Sequence, residues 1–219
     1  MGWLVCAYFT KDPIYSKHAA KLIESLKRFQ IPYELTPIEP FNDWDKGTHY
    51  KARFLQDMLK KYPDHSIVYV DADAIFCCYP DLFDSLNERK DVNIGVHVLD
   101  HSKYRRKNLN PEMLSGTIFL RNTGETSIIV QEWITELDRC PTIWDQSALN
   151  VVLKNHSFFN LPEEYCTIFD YMSSVKNPVI KHFQASREFK AQQRNRRSKR
   201  SRVRVVRNNT VVKLGRSKN

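Results

Sequence analysis

"HSIVYVDADAIFCCYP", residues 65–80, joins an unbroken apolar run from Ile67 to Val70 to two carboxylates, Asp71 and Asp73, set one residue apart. A strand with one wet face alternates apolar and polar side chains, so four apolar residues in succession predict a central strand covered on both faces. The carboxyl edge of such a strand is where open α/β sheets place ligands. Asp71 and Asp73 share side-chain parity and so face the same way, roughly 6–7 Å apart at the backbone. Two like charges at that spacing call for neutralisation, and a divalent cation with oxygen ligands, itself carrying a phosphate-bearing substrate, supplies it. The plainer alternative is a helix cap or a solvated turn. Against it, Ala74, Ile75 and Phe76 follow directly, without the Gly, Asn and Ser of a solvated turn.

On the N-terminal side the hydrophobic period alternates between strand and helix. A strand over Trp3 to Phe9 leads through Lys11-Asp12-Pro13 into a helix from about Tyr15 to Phe29, with Ala19, Leu22, Ile23, Leu26 and Phe29 at helical spacing. A strand near Tyr33 to Pro37, the loop "EPFNDWDKGTHY" and a helix from about Lys51 to Lys61 come next. This β-α-β-α-β order implies an α/β fold with a mostly parallel sheet, right-handed crossovers and the acidic pair at a mid-sheet carboxyl edge. On the C-terminal side "DVNIGVHVL" and "LSGTIFLRN" read as strands joined by the basic loop "DHSKYRRKNLNPEM". Helices follow from about Thr126 to Arg139 and over "IWDQSALNVVLKN", and "PVIKHF" reads as a last strand ending at His182.

A chain of 219 residues, 42% hydrophobic, has enough apolar material for one substantial core. No apolar run approaches the ~20 residues that span a membrane. The opening "MGWLVCAYFT" lacks a basic stretch and reads as a first strand, not a signal peptide. Five cysteines, an odd number without C-x-x-C spacing, argue against a disulfide framework or zinc site and fit a reducing cytoplasm, that of a host if the protein is viral.

The net charge of +9 is unevenly divided. Residues 191–219 hold 11 Lys/Arg and no acid, whereas residues 1–190 hold 23 Lys/Arg and all 25 Asp/Glu. A nearly neutral body thus carries a polycationic tail, in which Arg194, Arg196, Arg197, Lys199, Arg200, Arg202, Arg204 and Arg207 are candidate contacts for a polyanion such as nucleic acid. The tail's β-branched runs around Asn208-Asn209 allow a hairpin. A solubilising or localising segment is the plainer alternative.

Taken in order, Lys51 and Arg53, "VYVDADAIF", "LSGTIFLRNT", "WDQSALNVVL", "LPEEYC" and "VIKHF" resemble the GT-A nucleotide-sugar glycosyltransferases, with the nearest likeness to family 8 and the related nucleotide-diphospho-sugar transferases. The likeness covers residues 1–190 and leaves the tail without a counterpart. D-x-D alone is a weak signal; followed at this spacing by D-Q-x-x-L-N it is far more specific. The resemblance implies a single GT-A domain, Rossmann-like, over 1–190, with 191–219 as a basic tail. It implies Mn2+ or Mg2+ on Asp71, Asp73 and His182, holding the diphosphate of a nucleoside diphosphate sugar. It makes Asp145 and Gln146 the residues that face the sugar, with retention of anomeric configuration. It places Tyr8 and Thr10 against base and ribose, Lys51 and Arg53 near phosphates or acidic pair, and Ser115, Gly116 and Thr117 along the sugar pocket. The family's Gly and Lys-Pro-Trp pattern after the histidine is replaced by "HFQASREFK", so Arg187 or Lys190 is the candidate for the missing diphosphate contact.

Each of these positions also has a structural explanation: a satisfied strand-end histidine for His182, an N-cap for Asp145, and a solvated helix face for Lys51 and Arg53. Two other functions stay open. One is a haloacid dehalogenase-like phosphatase, whose nucleophile and acid are also D-x-D; against it, that family opens with the motif, whereas here a β-α-β-α unit precedes it. The other is a nucleic-acid-binding protein with a degenerate transferase body. If the tail serves a transferase, the acceptor is a polyanion, with a hydroxylated base in DNA as one candidate, flipped out to reach the sugar.

Overall fold

The computed structural model describes residues 2–41, 44–104 and 109–191, with backbone alone over 44–48. The proposed tail contacts from Arg194 to Arg207 and the hairpin lie outside the described residues. The described residues fall into two units, one up to Phe183 and one from Gln184 onward.

In the first unit, β1 (Gly2–Thr10), α1 (Pro13–Arg28), β2 (Tyr33–Ile38), α2 (Trp44–Lys61) and β3 (His65–Val70) follow the expected alternation. β4 (Ala74–Phe76), α3 (Asp81–Glu88), β5 (Ile94–Leu99), β6 (Glu112–Leu120), α4 (Gly124–Arg139) and α5 (Asp145–Val152) come next, and β7 (Phe159–Asn160), β8 (Thr167–Ile168) and β9 (Ile180–His182) close it. The six-stranded sheet has the order β2-β1-β3-β6-β5-β7. It is mostly parallel: β6 alone is reversed, antiparallel to both β3 and β5. A parallel return needs a crossover, usually helical. Among the described residues of the β5–β6 connection the regular structure is a 3-10 turn at His101–Tyr104, and β6 comes back antiparallel.

The central strands sort their side chains by parity, as a sheet covered on both faces must. Leu4 and Cys6 of β1 and Ile67 and Tyr69 of β3 join the core beneath α2, α4 and α5, with Phe54, Trp133 and Leu149. Trp3, Val5 and Ala7, with Val68 and Val70, pack on the other face against Leu22, Leu26, Phe83 and Leu86 of α1 and α3. Asp71 continues the parity of Ile67 and Tyr69, so its side chain leaves the strand toward the α2 layer.

Several elements depart from the expectation. The loop over 39–50 is helical from Trp44 onward. α3 spans only eight residues behind Pro80, with Phe83 and Leu86 as its buried contacts, too brief for a clear period. β4, β7 and β8 are two or three residues long, below the length at which alternation is readable, and exist because tertiary partners pair with them. β4 is the important one. It pairs antiparallel with β9 in a small second sheet, order β4-β9-β8, with Ala74 opposite His182. In the second unit, residues 185–191 are helical after Gln184, whose φ is 54°.

Ser25 ties α1 to β4, because its hydroxyl donates to Leu22 O at 2.8 Å and accepts from the Phe76 N–H at 3.1 Å. Ser25→Ala leaves that buried N–H without its acceptor, an expected loss of about 1–3 kcal/mol. Urea unfolding checks this: the midpoint should fall while the m-value stays unchanged.

Candidate active site

The apolar run of β3 ends at the sheet's carboxyl edge, and there the chain turns through Asp71, Ala72 and Asp73 into β4. Two backbone bonds fix the turn: Asp71 N–H donates to Gly116 O at 2.9 Å, and Ala74 N–H to Asp71 O at 2.9 Å. The late strand β9 then lies along β4, and Phe183 N–H donates to Asp73 O at 3.2 Å. Asp71, Asp73 and His182 converge, with one ligand atom from each lying within 4.8 Å of the others.

His182 is buried, and its Nε2 lies 2.9 Å from Thr117 Oγ1. Its Nδ1 makes no hydrogen bond, the nearest carboxylate oxygen being Asp73 Oδ1 at 3.7 Å. A buried ring nitrogen aimed at two carboxylates suits a shared cation, with the other nitrogen held by a neighbour in the manner of metal-ligating histidines. Gly116 completes the cradle, since a Cβ there would sit 3.3 Å from His182 Cε1, 3.4 Å from Nδ1 and 3.5 Å from Asp71 Oδ2. Two oxygen donors and one imidazole match the ligand preferences of Mn2+, and the carboxylates those of Mg2+. The residues present therefore fit a divalent cation.

Beside this cluster lies Lys51, buried near the middle of α2. Its Nζ is 2.8 Å from Asp145 Oδ2 and 3.2 Å from Asp71 Oδ1, and it donates to both Ser115 O and Ser115 Oγ at 3.1 Å. Burial opposes its charge, but the Asp145 and Asp71 carboxylates prevail and hold its pKa above the usual lysine value. Asp71 moves up too, because burial outweighs the pull of Lys51 and Asp73 adds repulsion. Tyr69 keeps its proton through burial and the adjoining Asp71, and its hydroxyl donates to Asp71 Oδ1 at 2.8 Å. For His182, burial works against the charged form, yet the facing Asp73 and the Cys166 thiol raise its pKa to about 10. Without a metal, cationic Lys51 and His182 are what keep the acidic pair compatible with burial.

Asp145 opens α5 but does not cap it. Trp144 holds the cap position without a side-chain capping bond, and Asp145 turns inward to Lys51 and accepts from Ser115 Oγ at 3.1 Å. The buried Trp133 indole of α4 fixes it from behind, donating to Asp145 O at 2.9 Å. Gln146 accepts from the Ser115 N–H at 3.1 Å. Asp71, Asp73, His182, Lys51, Asp145, Gln146, Ser115, Gly116 and Thr117 thus meet at one sheet edge. Tyr8, at the end of β1, joins an aromatic group with Tyr50, Phe54 and Tyr69, its ring centroid 5.0 Å from that of Tyr50.

Arg53 and Thr10 are engaged by other partners, and Arg187 and Lys190 fall in the second unit. Arg53, two residues from Lys51, faces the opposite way along the helix, and its Nη2 meets both Asp138 oxygens, at 2.6 and 2.8 Å, on the exposed seam between α2 and α4. The Thr10 hydroxyl donates to Asp12, the N-cap of α1. Arg187 and Lys190 belong to the second unit, where Arg187 N–H donates to Gln184 O at 2.9 Å. Three contributors carried no sequence signal: Tyr69, Glu112, whose Oε1 accepts from Gln146 Nε2, and Tyr15, whose phenol is raised first by burial and then by Asp73 and Asp71.

Comparison with known proteins bears on this geometry. Residues 42–214 match the family model described as nucleotide-diphospho-sugar transferase, a match that starts at the approach to α2 and runs on into the basic segment. No curated protein matches the sequence. Among solved structures, the chain is similar to the crystal structure of a glycosyltransferase involved in the glycosylation of the major capsid of PBCV-1, with 12% identity, a TM-score of 0.63, and coverage of 87% of this chain and 99% of that one. It is also similar to the glycosyltransferase GlyE of Streptococcus pneumoniae TIGR4, in its apo form at 13% identity and TM-score 0.55 and in a second structure at 14% and 0.56. Both alignments cover 83% of this chain but 54% of the pneumococcal one, so the chain spans about half of that protein's length. At such identities the likeness to solved structures speaks for the fold alone. The sequence match extends over most of the chain, and by it the protein belongs to the nucleotide-diphospho-sugar transferase family.

Proposed function

We propose that the protein is a metal-dependent glycosyltransferase that moves a sugar from a nucleoside diphosphate donor to a hydroxyl acceptor with retention of anomeric configuration. The observation that carries this reading is the meeting of Asp71, Asp73 and His182 beside the Lys51–Asp145 ion pair. Mn2+ or Mg2+ held by the three former residues supplies a Lewis acid for the departing diphosphate. The chain's own side chains do the rest. Tyr8 and the aromatic group around it offer a surface for the nucleotide base. Asp145 has one oxygen saturated by Lys51 and Ser115, which holds it as an orienting carboxylate and weakens it as a nucleophile. Gln146 is too weak a nucleophile to trap the sugar covalently. Both features favour attack by the acceptor on the face that the diphosphate leaves.

Asp71→Asn and Asp73→Asn should each abolish donor turnover while the metal-free body stays folded, because the repulsion relieved offsets part of the ion pairing lost with Lys51 or His182. The check is hydrolysis of nucleoside diphosphate sugars in saturating Mn2+, alongside thermal melts; equal turnover by all three proteins would remove the metal assignment.

The raised His182 pKa sets a pH dependence. In the metal-free body it contributes stability that is full below about pH 6.5, the ordinary histidine value, and is lost as pH rises through about 10. The metal needs the neutral ring, so its binding at pH 7 must displace that proton, and affinity should climb with pH. Calorimetry of Mn2+ with a nucleoside diphosphate, run in buffers of different ionisation enthalpy, should count about one more proton released by wild type than by His182→Gln.

For the acceptor, the −2 body and +11 tail of the sequence support a polyanion. The PBCV-1 relative's part in capsid glycosylation supports a glycoprotein as the second reading. With Arg194, Arg196, Arg197, Lys199, Arg200 and Arg202 replaced by Gln, donor hydrolysis should persist. Binding to duplex DNA, single-stranded DNA and heparin should lose most of its salt dependence. Identical salt slopes for both proteins would leave the tail without a role in acceptor binding.

A further inference from the structure

We propose that Glu112, His101 and Tyr171 are positioning residues for Gln146, joined to it in a single hydrogen-bonded chain. The proposal rests on Gln146 as the sugar-facing residue of the transferase. Gln146 Nε2 donates to Glu112 Oε1 at 2.5 Å, and the other Glu112 oxygen lies 3.2 Å from His101 Nε2. His101 Nδ1 lies 2.7 Å from the Tyr171 hydroxyl. Four separate stretches of chain meet here: the 3-10 turn after β5, the first residue of β6, the first turn of α5 and the turn after β8.

Donor and acceptor chemistry orders the whole chain. A carboxylate accepts only, so His101 Nε2 carries the proton it shares with Glu112, and in the neutral ring Nδ1 accepts from the Tyr171 O–H. By the same rule the Gln146 amide must turn its NH2 toward Glu112. Its carbonyl oxygen is then left for the Ser115 N–H, as observed. The carboxamide is held at both ends, and its flip is no longer free. The imidazole that holds Glu112 is buried while the carboxylate is half exposed, so the support stands on the core and its working end faces the open site. A side chain that must present one polar atom to a reacting sugar gains from being fixed in this way, since misplacement by about 1 Å can cost roughly a hundredfold in rate.

The test uses the full chain with Glu112→Ala, Glu112→Gln, Gln146→Ala and the Glu112→Ala/Gln146→Ala double variant. Glu112→Gln still offers its carbonyl to Gln146, and its amide can donate to His101 once the ring changes tautomer, so it should behave like wild type. In Mn2+-dependent hydrolysis of a panel of nucleoside diphosphate hexoses, Glu112→Ala should lower kcat roughly ten- to a hundredfold while leaving the Kd for UDP in Mn2+ unchanged. The same change in the Gln146→Ala background should cost almost nothing further. An equal loss of kcat in both backgrounds, or a loss confined to UDP affinity, would overturn the proposal. The side-chain amide signals of Gln146, identified by their absence from Gln146→Ala, give a second readout that needs no turnover. They should be dispersed and slow to exchange in wild type and Glu112→Gln, and shift toward free-amide positions in Glu112→Ala; signals unmoved by Glu112→Ala would overturn the positioning role. Failure of wild type to hydrolyse any donor would count instead against the transferase reading, with the amide signals still deciding the role of Glu112.

Discussion

One buried ammonium holds the site together. Lys51 Nζ stands between Asp71, just past the end of β3, and Asp145, at the start of α5, and it also donates to both oxygens of Ser115. Removing charges from water is costly, and the arrangement survives because each charge meets an opposite one at hydrogen-bonding distance. Lys51 thereby couples the part of the site suited to a cation to the part suited to a sugar. It approaches Tyr69 as well, with Nζ 5.1 Å from the ring centroid, so the hydroxyl and the ring of one tyrosine serve Asp71 and Lys51 together.

The second constraint is the return of the chain. β9 comes more than a hundred residues after the acidic pair, yet its pairing with β4 puts His182 opposite Ala74 and next to Asp73. Three residues of strand are enough because Thr117 holds the imidazole and the Phe183 N–H ties the end of the strand to the Asp73 carbonyl. The site is therefore assembled from the middles of α2 and β6 and, for β3, α5 and β9, from a strand end or a helix start. At such places side chains leave the packed layers and functional groups can face a ligand without disturbing the core.

Much of this could be read from the amino-acid order. Ile67 to Val70 announce a central strand, because covering on both faces removes alternation, and the parity of Asp71 and Asp73 follows from the pleat. The helical spacing along α1 and α4 and the placement of "WDQSALN" at a helix start are local properties, as was the family resemblance carried by D-x-D and D-Q in order. Lys51 and Arg53 show the limit. Both read as cations near the phosphates; two positions along a helix turn a side chain by more than half a revolution, so one faces Asp71 and the other Asp138.

What only the tertiary structure decided concerns groups whose partners are distant in sequence. The reversal of β6, the existence of β4 and its pairing with β9, and the reach of Tyr15 to the acidic pair depend on contacts that no local period encodes. The same is true of Asp145, which by sequence is an equally good helix cap; its inward turn is set by a lysine 94 positions earlier. Glu112 and His101 lie in a loop read only as basic and polar, and become a support for Gln146 because the sheet order brings the ends of β5 and β6 against α5. Local sequence determined the strands, the helices and the carboxylate pair, since these follow from periodicity and covalent geometry. Which charges meet, and so what the site can do, was decided by long-range packing, because burial makes every charge depend on the partner that the fold delivers.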